Sequence, residues 1–396
     1  MNIRNITPRV HYVGVNDRTS WKFENLWPLP YGVTYNSYLV IGSEKIALVD
    51  CVENSSIPNL LSNINKVLEG RKIDYLIVNH MEPDHSGGIP ELLYHYPSLK
   101  IVGNKQTKGM VDGFYGVEEN KFLEIKENDV LDLGGVTLQF IMTPLVHWPE
   151  TMMTYLKEDG VLFSGDAFGC FGALNGGVVD TEMDTDWYFP EMYRYYSNIV
   201  GKYGKTVQMA LKKTSGLDIK YLCSTHGPVW HQRIGEVVDL YNRLSLYEDE
   251  EGVTIVYGSM YGNTGEIAEV IASRLCERGV RTIKIHNVSK SDMSSIISDA
   301  FRYKGLIVGS PTYNGRMFPA IEEFMTAMES REIKNKVIAS FGSFTWASAA
   351  CRMMNECLTR MKIDPVATMD MKHSPSDSDL KAAIEVADKV ADAMGY

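Results

Sequence analysis

Hydrophobic residues in the first 248 positions fall in short runs that are separated by longer polar segments. The runs are rich in β-branched and aromatic residues and are bounded by turn formers, a pattern typical of strands. The predicted strands are 36–41, 45–49, 75–78, 136–142, 161–163 and 220–223. Many short strands with helices between them predict a sandwich of sheets that is covered by helices.

The second half of the chain has a more regular pattern, in which short apolar runs alternate with segments whose apolar residues recur at helical spacing. The predicted strands are 253–257, 282–285, 305–308, 337–340 and a short one about Val366. The predicted helices begin at Thr264, near 292, at Phe318, near 347 and at Asp377. Five successive βα units predict a doubly wound parallel sheet. The charged segment 247–252 separates the two patterns of apolar runs, so we expect one domain over 1–248 and another over 252–396.

Composition and charge narrow the class of function. The chain has 39 Lys and Arg against 50 Asp and Glu, a net charge of 39 − 50 = −11, which disfavours nucleic acid and anionic lipid as partners. No apolar stretch approaches the roughly 20 residues that span a bilayer, and the first residues lack the apolar segment of a signal peptide. We therefore expect a cytoplasmic protein without membrane association.

The six cysteines are scattered and never form a Cys-x-x-Cys pair. This spacing disfavours a disulfide framework, an iron–sulfur cluster and a rubredoxin-type iron site within the chain.

Four potential metal ligands lie within six residues, directly after the predicted strand 75–78: His80, Glu82, Asp84 and His85. Alternate residues of an extended segment point the same way, so the first three can converge on one pocket. Three further candidates each follow an apolar strand: His147, Asp166 and His226. Strand ends hold ligands rigidly, so seven ordered candidates predict a metal site. Isolated histidines are instead expected to be ordinary polar residues, and these are His11, His95, His231, His286 and His373.

The order of these seven ligands resembles the metallo-β-lactamase superfamily. Zinc hydrolases of that superfamily usually carry His at the position of Glu82, and an added carboxylate favours iron or manganese over zinc. This substitution resembles the flavodiiron proteins. That resemblance implies one iron on His80, Glu82 and His147, another on Asp84 and His226, and Asp166 bridging them.

The resemblance leaves two possible roles for each of two residues, His85 and Asp50. His85 either binds the second iron or leaves that position to water, and it is a candidate proton donor. Asp50 is either an outer residue that orients the ligands or an ordinary turn or helix-cap aspartate.

Three loops after predicted strands of the second half carry hydroxyl and aromatic residues. The first precedes a helix, so its backbone N–H groups can bind a phosphate. It has neither Gly-Lys-Ser/Thr nor Gly-x-Gly-x-x-Gly, which disfavours a nucleoside triphosphate and a dinucleotide. Aromatic residues of the two later loops can cover a flavin ring.

This half resembles flavodoxin, which implies an FMN phosphate at Ser259 and Thr264 and the flavin ring near Tyr313, Asn314 and Trp346. A flavodoxin-like receiver domain is the other reading, but it requires an acidic phosphorylation pocket that the sequence lacks. The candidate FMN-binding residues are Ser259, Met260, Tyr261, Gly262, Asn263, Thr264, Pro311, Thr312, Tyr313, Asn314, Gly315, Ser343, Phe344, Thr345 and Trp346.

Together the two halves resemble the A-type flavodiiron proteins. The resemblance implies a metallo-β-lactamase-like αββα sandwich followed by a flavodoxin-like domain, with FMN and two non-haem irons as cofactors. It implies reduction of O2 to water, of NO to N2O, or of both, with no catalytic side chain beyond the metal ligands. It also implies a head-to-tail homodimer or a dimer of dimers, fed by rubredoxin or a reduced deazaflavin coenzyme.

Two other classes of function stay open. A zinc hydrolase fused to a flavodoxin would use a metal-bound hydroxide, and metal analysis distinguishes it. A pure electron carrier or redox sensor would use the first domain as a scaffold, and it would be favoured if gas reduction survived mutation of Glu82.

Overall fold

The computed structural model describes residues 3–396. The chain divides into two compact units, of which the first ends at Leu246 and the second begins at Tyr247. Across residues 3–396, no helix is both long enough and apolar enough to cross a membrane.

The first unit contains sixteen strands and seven α-helices among its described residues. The strands are β1 (Arg4–Asn5), β2 (Val10–Tyr12), β3 (Val15–Asp17), β4 (Lys22–Phe23), β5 (Trp27–Pro28), β6 (Val33–Tyr35), β7 (Tyr38–Ile41), β8 (Ile46–Val49), β9 (Tyr75–Ile77), β10 (Lys100–Gly103), β11 (Phe122–Glu124), β12 (Val130–Asp132), β13 (Thr137–Met142), β14 (Met152–Leu156), β15 (Val161–Gly165) and β16 (Tyr221–Ser224). The helices are α1 (Ile57–Leu68), α2 (Pro83–Ser86), α3 (Ile89–His95), α4 (Lys105–Tyr115), α5 (Tyr188–Tyr195), α6 (Gly204–Thr214) and α7 (Ile234–Ser245).

Two large sheets form the centre of this unit. One has seven strands in the order β1-β2-β7-β8-β9-β10-β11, and the other has five in the order β12-β13-β14-β15-β16. Strands β8 to β11 pair in parallel, and so do β15 and β16. Every residue of β8, β14 and β15 is buried, as expected for strands with packing on both faces. The predicted αββα sandwich is confirmed.

The strand pattern of this unit was only partly visible in the sequence. All six predicted strands are present with ends shifted by one or two residues, and ten further strands, β10 and β14 among them, were not predicted. Strand β14, Met152–Leu156, is buried at all five positions. A fully buried strand has no alternation of polar and apolar residues, so the periodic signal that marks a half-exposed strand is missing.

The second unit is a five-stranded parallel sheet with strand order β18-β17-β19-β20-β21. Its strands are β17 (Glu250–Tyr257), β18 (Ile283–Asn287), β19 (Tyr303–Pro311), β20 (Val337–Phe344) and β21 (Ala367–Lys372). Its helices are α8 (Asn263–Glu277), α9 (Met293–Arg302), α10 (Pro319–Ser330), α11 (Ala350–Arg360) and α12 (Asp377–Met394). This is the predicted doubly wound sheet.

Helices α8 and α12 pack on this sheet because their apolar residues recur at helical spacing. Ile267 and Ile271 of α8 belong to the same buried cluster as Val386 and Val390 of α12. Helix α12 begins with a capping box in which Ser376 and Asp379 bond each other's backbone N–H.

The charged segment at the boundary is more ordered than a free linker. Its last part, from Glu250, already belongs to β17. The carboxylate of Asp249 forms an ion pair with Lys336 Nζ, which also donates to the carbonyl oxygen of Phe301 at 2.7 Å. Glu250 pairs with Tyr303 of β19, which extends the strand beyond its apolar core.

Candidate functional site

Six of the seven candidate metal ligands stand just past strand ends or at a short helix of the first unit, where Glu82 is the N-cap residue of α2. His80 follows β9, Asp84 and His85 lie on α2, Asp166 follows β15, and His226 follows β16. Parallel pairing brings the carboxyl ends of β15 and β16 to one edge of their sheet. His147 lies in the loop between β13 and β14.

The first group of donor atoms comes from His80, Glu82, His147 and Asp166, all buried. His80 Nε2 lies 3.3 Å from Glu82 Oε2 and 3.2 Å from His147 Nε2. His147 Nε2 in turn lies 3.1 Å from Glu82 Oε2 and 3.1 Å from Asp166 Oδ2. Two imidazole nitrogens and two carboxylate oxygens therefore face one point.

The second group comes from Asp84, His85 and His226. His85 Nε2 lies 3.1 Å from Asp84 Oδ2 and 3.1 Å from His226 Nε2. His226 Nε2 lies 3.3 Å from Asp84 Oδ2. This group resembles the first in spacing and in its combination of imidazole and carboxylate.

Asp166 joins the two groups. Its Oδ2 faces His147 of the first group, while its Oδ1 lies 3.0 Å from His85 Nε2 of the second. Tyr195 donates its hydroxyl proton to Oδ2 at 2.9 Å, and Thr225 donates to Oδ1 at 2.6 Å. The carboxylate is thus held with one oxygen toward each group.

These residues fit two metal ions. Ligand atoms that each lie about 2.1 Å from one ion are about 3.0 to 3.4 Å apart, which is the spacing found in both groups. Both oxygens of Asp84 are buried and accept no hydrogen bond within residues 3–396. The ring nitrogens of His85 and His226 lie near Oδ2 but not in hydrogen-bonding geometry, and a cation between them and the carboxylate would satisfy all three groups. The predicted ligands are all brought together, His85 among them.

Burial and charge act in opposite directions on the pKa values of this cluster. Burial alone would raise the pKa of Asp166, but His85 and His80 hold it well below its usual range. Burial alone would lower the pKa of His85, but Asp84 and Asp166 raise it to about 10. The imidazoles therefore experience a strongly negative potential, which favours a bound cation.

Several residues that orient the candidate ligands were missed by the sequence reasoning. Glu150 Oε1 lies 2.8 Å from His80 Nδ1 and accepts from Met81 N at 2.9 Å. The carbonyl oxygen of Thr34 lies 2.6 Å from His226 Nδ1. Such outer contacts fix the tautomer and orientation of a metal-binding imidazole. The position of Glu150, three residues after His147, was the only sequence signal among them.

Asp50 does not bond a candidate ligand directly but bonds Asn79, which precedes His80. Its oxygens accept from Asn79 N at 2.7 Å and from Asn79 Nδ2 at 2.9 Å. Asn79 also accepts from Thr154 Oγ1 at 2.7 Å. Asp50 therefore fixes the residue that precedes His80 and does not contact the imidazole.

The second unit contains a cavity of about 350 Å³ at the carboxyl end of its sheet. Fourteen of the fifteen residues predicted to bind FMN line it, and the exception is Gly262. Its wall consists of Ser259, Met260, Tyr261, Asn263, Thr264, Pro311, Thr312, Tyr313, Asn314, Gly315, Ser343, Phe344, Thr345, Trp346, Ala347 and His373.

Gly262 does not line the cavity but forms the turn that leads into α8. It precedes α8 with a φ of 104°, a left-handed conformation that suits glycine, and its N–H donates to Ser259 Oγ at 3.1 Å. Thr264 Oγ1 lies 3.0 Å from Ser343 Oγ. The glycine shapes the turn that brings hydroxyl groups and the first N–H groups of α8 to one end of the cavity, where a phosphate fits.

Exposed aromatic side chains also line the cavity. Trp346 is 88% exposed and Tyr313 is 43% exposed. Large aromatic side chains left in solvent beside a cavity are suited to cover a planar ring system. The cavity thus combines groups that suit a phosphate with aromatic side chains that suit a planar ring, which fits FMN.

One of the five isolated histidines differs from the others in its surroundings. His11, His95, His231 and His286 contact neighbouring polar atoms away from the cavity. His373 instead lines the flavin cavity. The sequence could not show this because it depends on where the loop after β21 returns to the sheet edge.

Each half of the chain matches a known protein family. Residues 33–227 match the family described as the ODP family beta lactamase, and residues 255–386 match the flavodoxin family. The anaerobic nitric oxide reductase flavorubredoxin of Escherichia coli K12 is 32% identical over 390 residues, which cover 96% of this chain and 80% of that protein.

Two solved structures extend this similarity to the fold. The rubredoxin oxygen:oxidoreductase of Desulfovibrio gigas has a TM-score of 0.95 and 28% identity, and the match covers 99% of this chain and 98% of that one. The flavodiiron protein of Giardia intestinalis has a TM-score of 0.92 and 26% identity, with 98% and 97% covered. These matches imply FMN and a diiron site as cofactors, which the two clusters of side chains fit. The chain belongs to the flavodiiron protein family.

Proposed function

We propose that this protein reduces O2 to water, NO to N2O, or both, at a diiron centre supplied with electrons by FMN. The observation that carries the proposal is the placement of Asp166, whose two oxygens face two separate groups of nitrogen and oxygen donors. A carboxylate shared in this way holds two metal ions at the short separation at which one diatomic molecule can contact both.

The proposed ligands follow the two groups. His80, Glu82 and His147 would hold one iron, Asp84 and His226 would hold the other, and Asp166 would offer one oxygen to each. His85 joins the second iron, because its Nε2 lies as close to Asp84 and Asp166 as the other ligands do to each other. Its Nδ1 is buried without a hydrogen-bond partner in the part of the chain that the structure describes. We therefore propose His85 as the ligand that exchanges most readily with water.

The reaction requires little from the side chains except positioning. When both cofactors are bound and reduced, two ferrous irons and FMN supply the four electrons that convert one O2 into two waters. Glu82, Asp84 and Asp166 balance the positive charge of the metal ions, and burial of the cluster limits the access of water. No side-chain nucleophile is needed, so no serine or cysteine is assigned a catalytic role.

The flavin is proposed to occupy the cavity of the second unit, with its phosphate at Ser259 and Thr264 and its ring near Tyr313, Asn314 and Trp346. The proposed domains are 1–248 and 252–396. Because electrons must pass from flavin to iron, we propose a head-to-tail homodimer, or a dimer of dimers, in which each flavin serves the iron site of the partner.

The electron donor and the location also remain proposals. We propose rubredoxin or a reduced deazaflavin coenzyme as the donor, since the E. coli relative is by name a flavorubredoxin and the D. gigas relative a rubredoxin oxidoreductase. The expected location is the cytoplasm.

Gas consumption by the purified holoprotein tests the proposal. Iron, zinc and FMN are quantified first, and O2 or NO uptake is then followed with an electrode in the presence of a chemical reductant and a small electron carrier. We expect sustained uptake of at least one gas, and its loss in Asp166→Ala at unchanged FMN content. A zinc-filled site without gas uptake, together with hydrolase activity, would favour the hydrolase reading.

A further inference from the structure

The flavin cavity contains a single side chain that can carry a positive charge. Among the residues that line it within the described chain, none is Lys or Arg, and His373 is the one titratable base. A phosphate monoester carries about −1.5 to −2 charges near neutral pH. The chain as a whole has a net charge of −11, which makes a phosphate harder to bind.

The backbone of His373 is tied to both sides of the cavity. Its N–H donates to the carbonyl oxygen of Phe344, in β20, at 2.9 Å. Its carbonyl oxygen accepts from Asn263 Nδ2, at the start of α8, with a donor–acceptor distance of 3.4 Å. The second contact places His373 beside the phosphate end, because Thr264 directly follows Asn263.

His373 has a left-handed backbone conformation. Its φ is 68°, in a region that favours glycine and disfavours most side chains. Its imidazole makes no hydrogen bond with any residue from 3 to 396 and is exposed at the cavity. Both ring nitrogens are therefore available to a ligand. A glycine would form this turn with less strain, so the turn itself does not require an imidazole.

We propose that the His373 imidazole binds the phosphate of FMN and makes the cavity selective for FMN over riboflavin. It donates a ring N–H to a phosphate oxygen, in addition to the hydroxyl groups of Ser259 and Thr264. The α8 N-terminus contributes only about half a positive charge, so a side chain that can be cationic adds a substantial part of the attraction. The proposal rests on FMN as the cofactor and is independent of which gas the iron centre reduces.

Flavin titrations of the full chain, stripped of flavin, test this directly. Binding of FMN and of riboflavin is measured separately by quenching of flavin fluorescence, in wild type and in His373→Gly. Glycine suits a φ of 68°, so the variant is expected to fold and to keep its melting temperature. We expect FMN affinity to fall by about tenfold or more, as for loss of one charge-assisted hydrogen bond. Riboflavin affinity should change by less than about twofold, since riboflavin has no phosphate.

Two further variants separate the alternatives. Lys372→Ala removes the neighbouring exposed cation, which does not line the cavity, and should leave both affinities unchanged. His373→Asn keeps a residue that tolerates the left-handed conformation but cannot become cationic, and should lose most of the preference for FMN.

Equal losses of FMN and riboflavin affinity in His373→Gly would place the imidazole at the ring and overturn the proposal. Unchanged FMN affinity in His373→Gly would also overturn the proposal, and so would a loss of FMN affinity in Lys372→Ala as large as that in His373→Gly. If the wild type bound FMN no better than riboflavin, phosphate recognition itself would be wrong. None of these results would alter the assignment of the iron ligands, which is tested by metal content.

Discussion

His80 Nδ1 lies 2.8 Å from Oε1 of Glu150, and both side chains are completely buried. The other ring nitrogen of His80 faces Glu82 and His147. The hydrogen bond to Glu150 therefore determines which nitrogen of His80 is free to bind metal, and the carboxylate charge makes that nitrogen a stronger donor.

Replacement of Glu150 by Gln should weaken iron binding by about 10- to 100-fold, because the imidazole loses its anionic partner while the shape of the site is kept. The measurement is iron retained after dialysis against a chelator of known affinity, together with the Mössbauer spectrum of the iron that remains. Glu91→Gln is the matched control, since Glu91 forms an exposed contact with His95 at 3.0 Å. Iron binding in Glu150→Gln equal to that of the control would show that Glu150 does not support the ligand.

Glu82 is expected to determine which metal occupies the first group of ligands. Glu82→His replaces a hard carboxylate by an imidazole and should raise the ratio of zinc to iron in protein purified from cells supplied with both metals. Glu82→Asp keeps the carboxylate and serves as the control. The prediction fails if the ratio of zinc to iron is the same in Glu82→His, Glu82→Asp and the wild type.

Asp17 should make a pH-dependent contribution to the stability of the first unit. Burial opposes its ionisation, but hydrogen bonds from Ser20 and Thr19 prevail and hold the pKa of Asp17 below its usual value of 3.8. Since the pKa is lower in the folded than in the unfolded chain, the ionised form stabilises the fold above about pH 4, and this stabilisation disappears as the pH falls through the folded pKa.

The melting temperatures of metal-free wild type and Asp17→Asn measure this effect. We expect the variant to melt lower at about pH 7 and the difference to shrink between about pH 4 and pH 2. A difference that stays constant with pH would indicate a steric rather than an electrostatic role.

Replacing only one member of the buried pair of Lys336 and Asp249 should destabilise the protein more than replacing both members by apolar residues. Lys336 is 2% exposed and Asp249 is 12% exposed. Burial lowers the pKa of Lys336 and raises the pKa of Asp249, so each charge is retained only through its partner. Lys336→Met alone should reduce the free energy of unfolding by about 3 kcal/mol, because it leaves a buried carboxylate without its cation.

The double variant Lys336→Met with Asp249→Leu should recover most of that loss. Unfolding in urea, followed through the release of FMN, reports on the second unit. A double variant no more stable than the single one would show that the pair does not act as a unit.

The fold and the cluster of candidate metal ligands could be predicted from the sequence because their signals are local. His80, Asp166 and His226 each follow an apolar run directly, so their placement at strand ends required no knowledge of the tertiary structure. Glu150 and Tyr195 could not be found in this way, since one lies in an irregular loop and the other on α5. Their contacts exist only after the sheets have packed.

His373 shows the same limit more clearly. A single histidine after a strand is usually an ordinary polar residue, and its sequence neighbours suggest no ligand. Its place at the cavity depends on the parallel pairing of β20 and β21 and on the bond between Asn263 and its carbonyl oxygen. Both are long-range features that periodicity does not report.

The most direct test of the proposed reductase is a count of electrons in a single turnover. Protein that contains two irons and one FMN per chain is reduced completely under anaerobic conditions and titrated with dissolved O2, while flavin absorbance and hydrogen peroxide are followed. The proposal predicts reoxidation of the flavin by about one O2 per chain with no peroxide, since four electrons convert O2 to water. Stoichiometric peroxide would show that the flavin reacts with O2 by itself, and would contradict the proposed role of the diiron centre in O2 reduction.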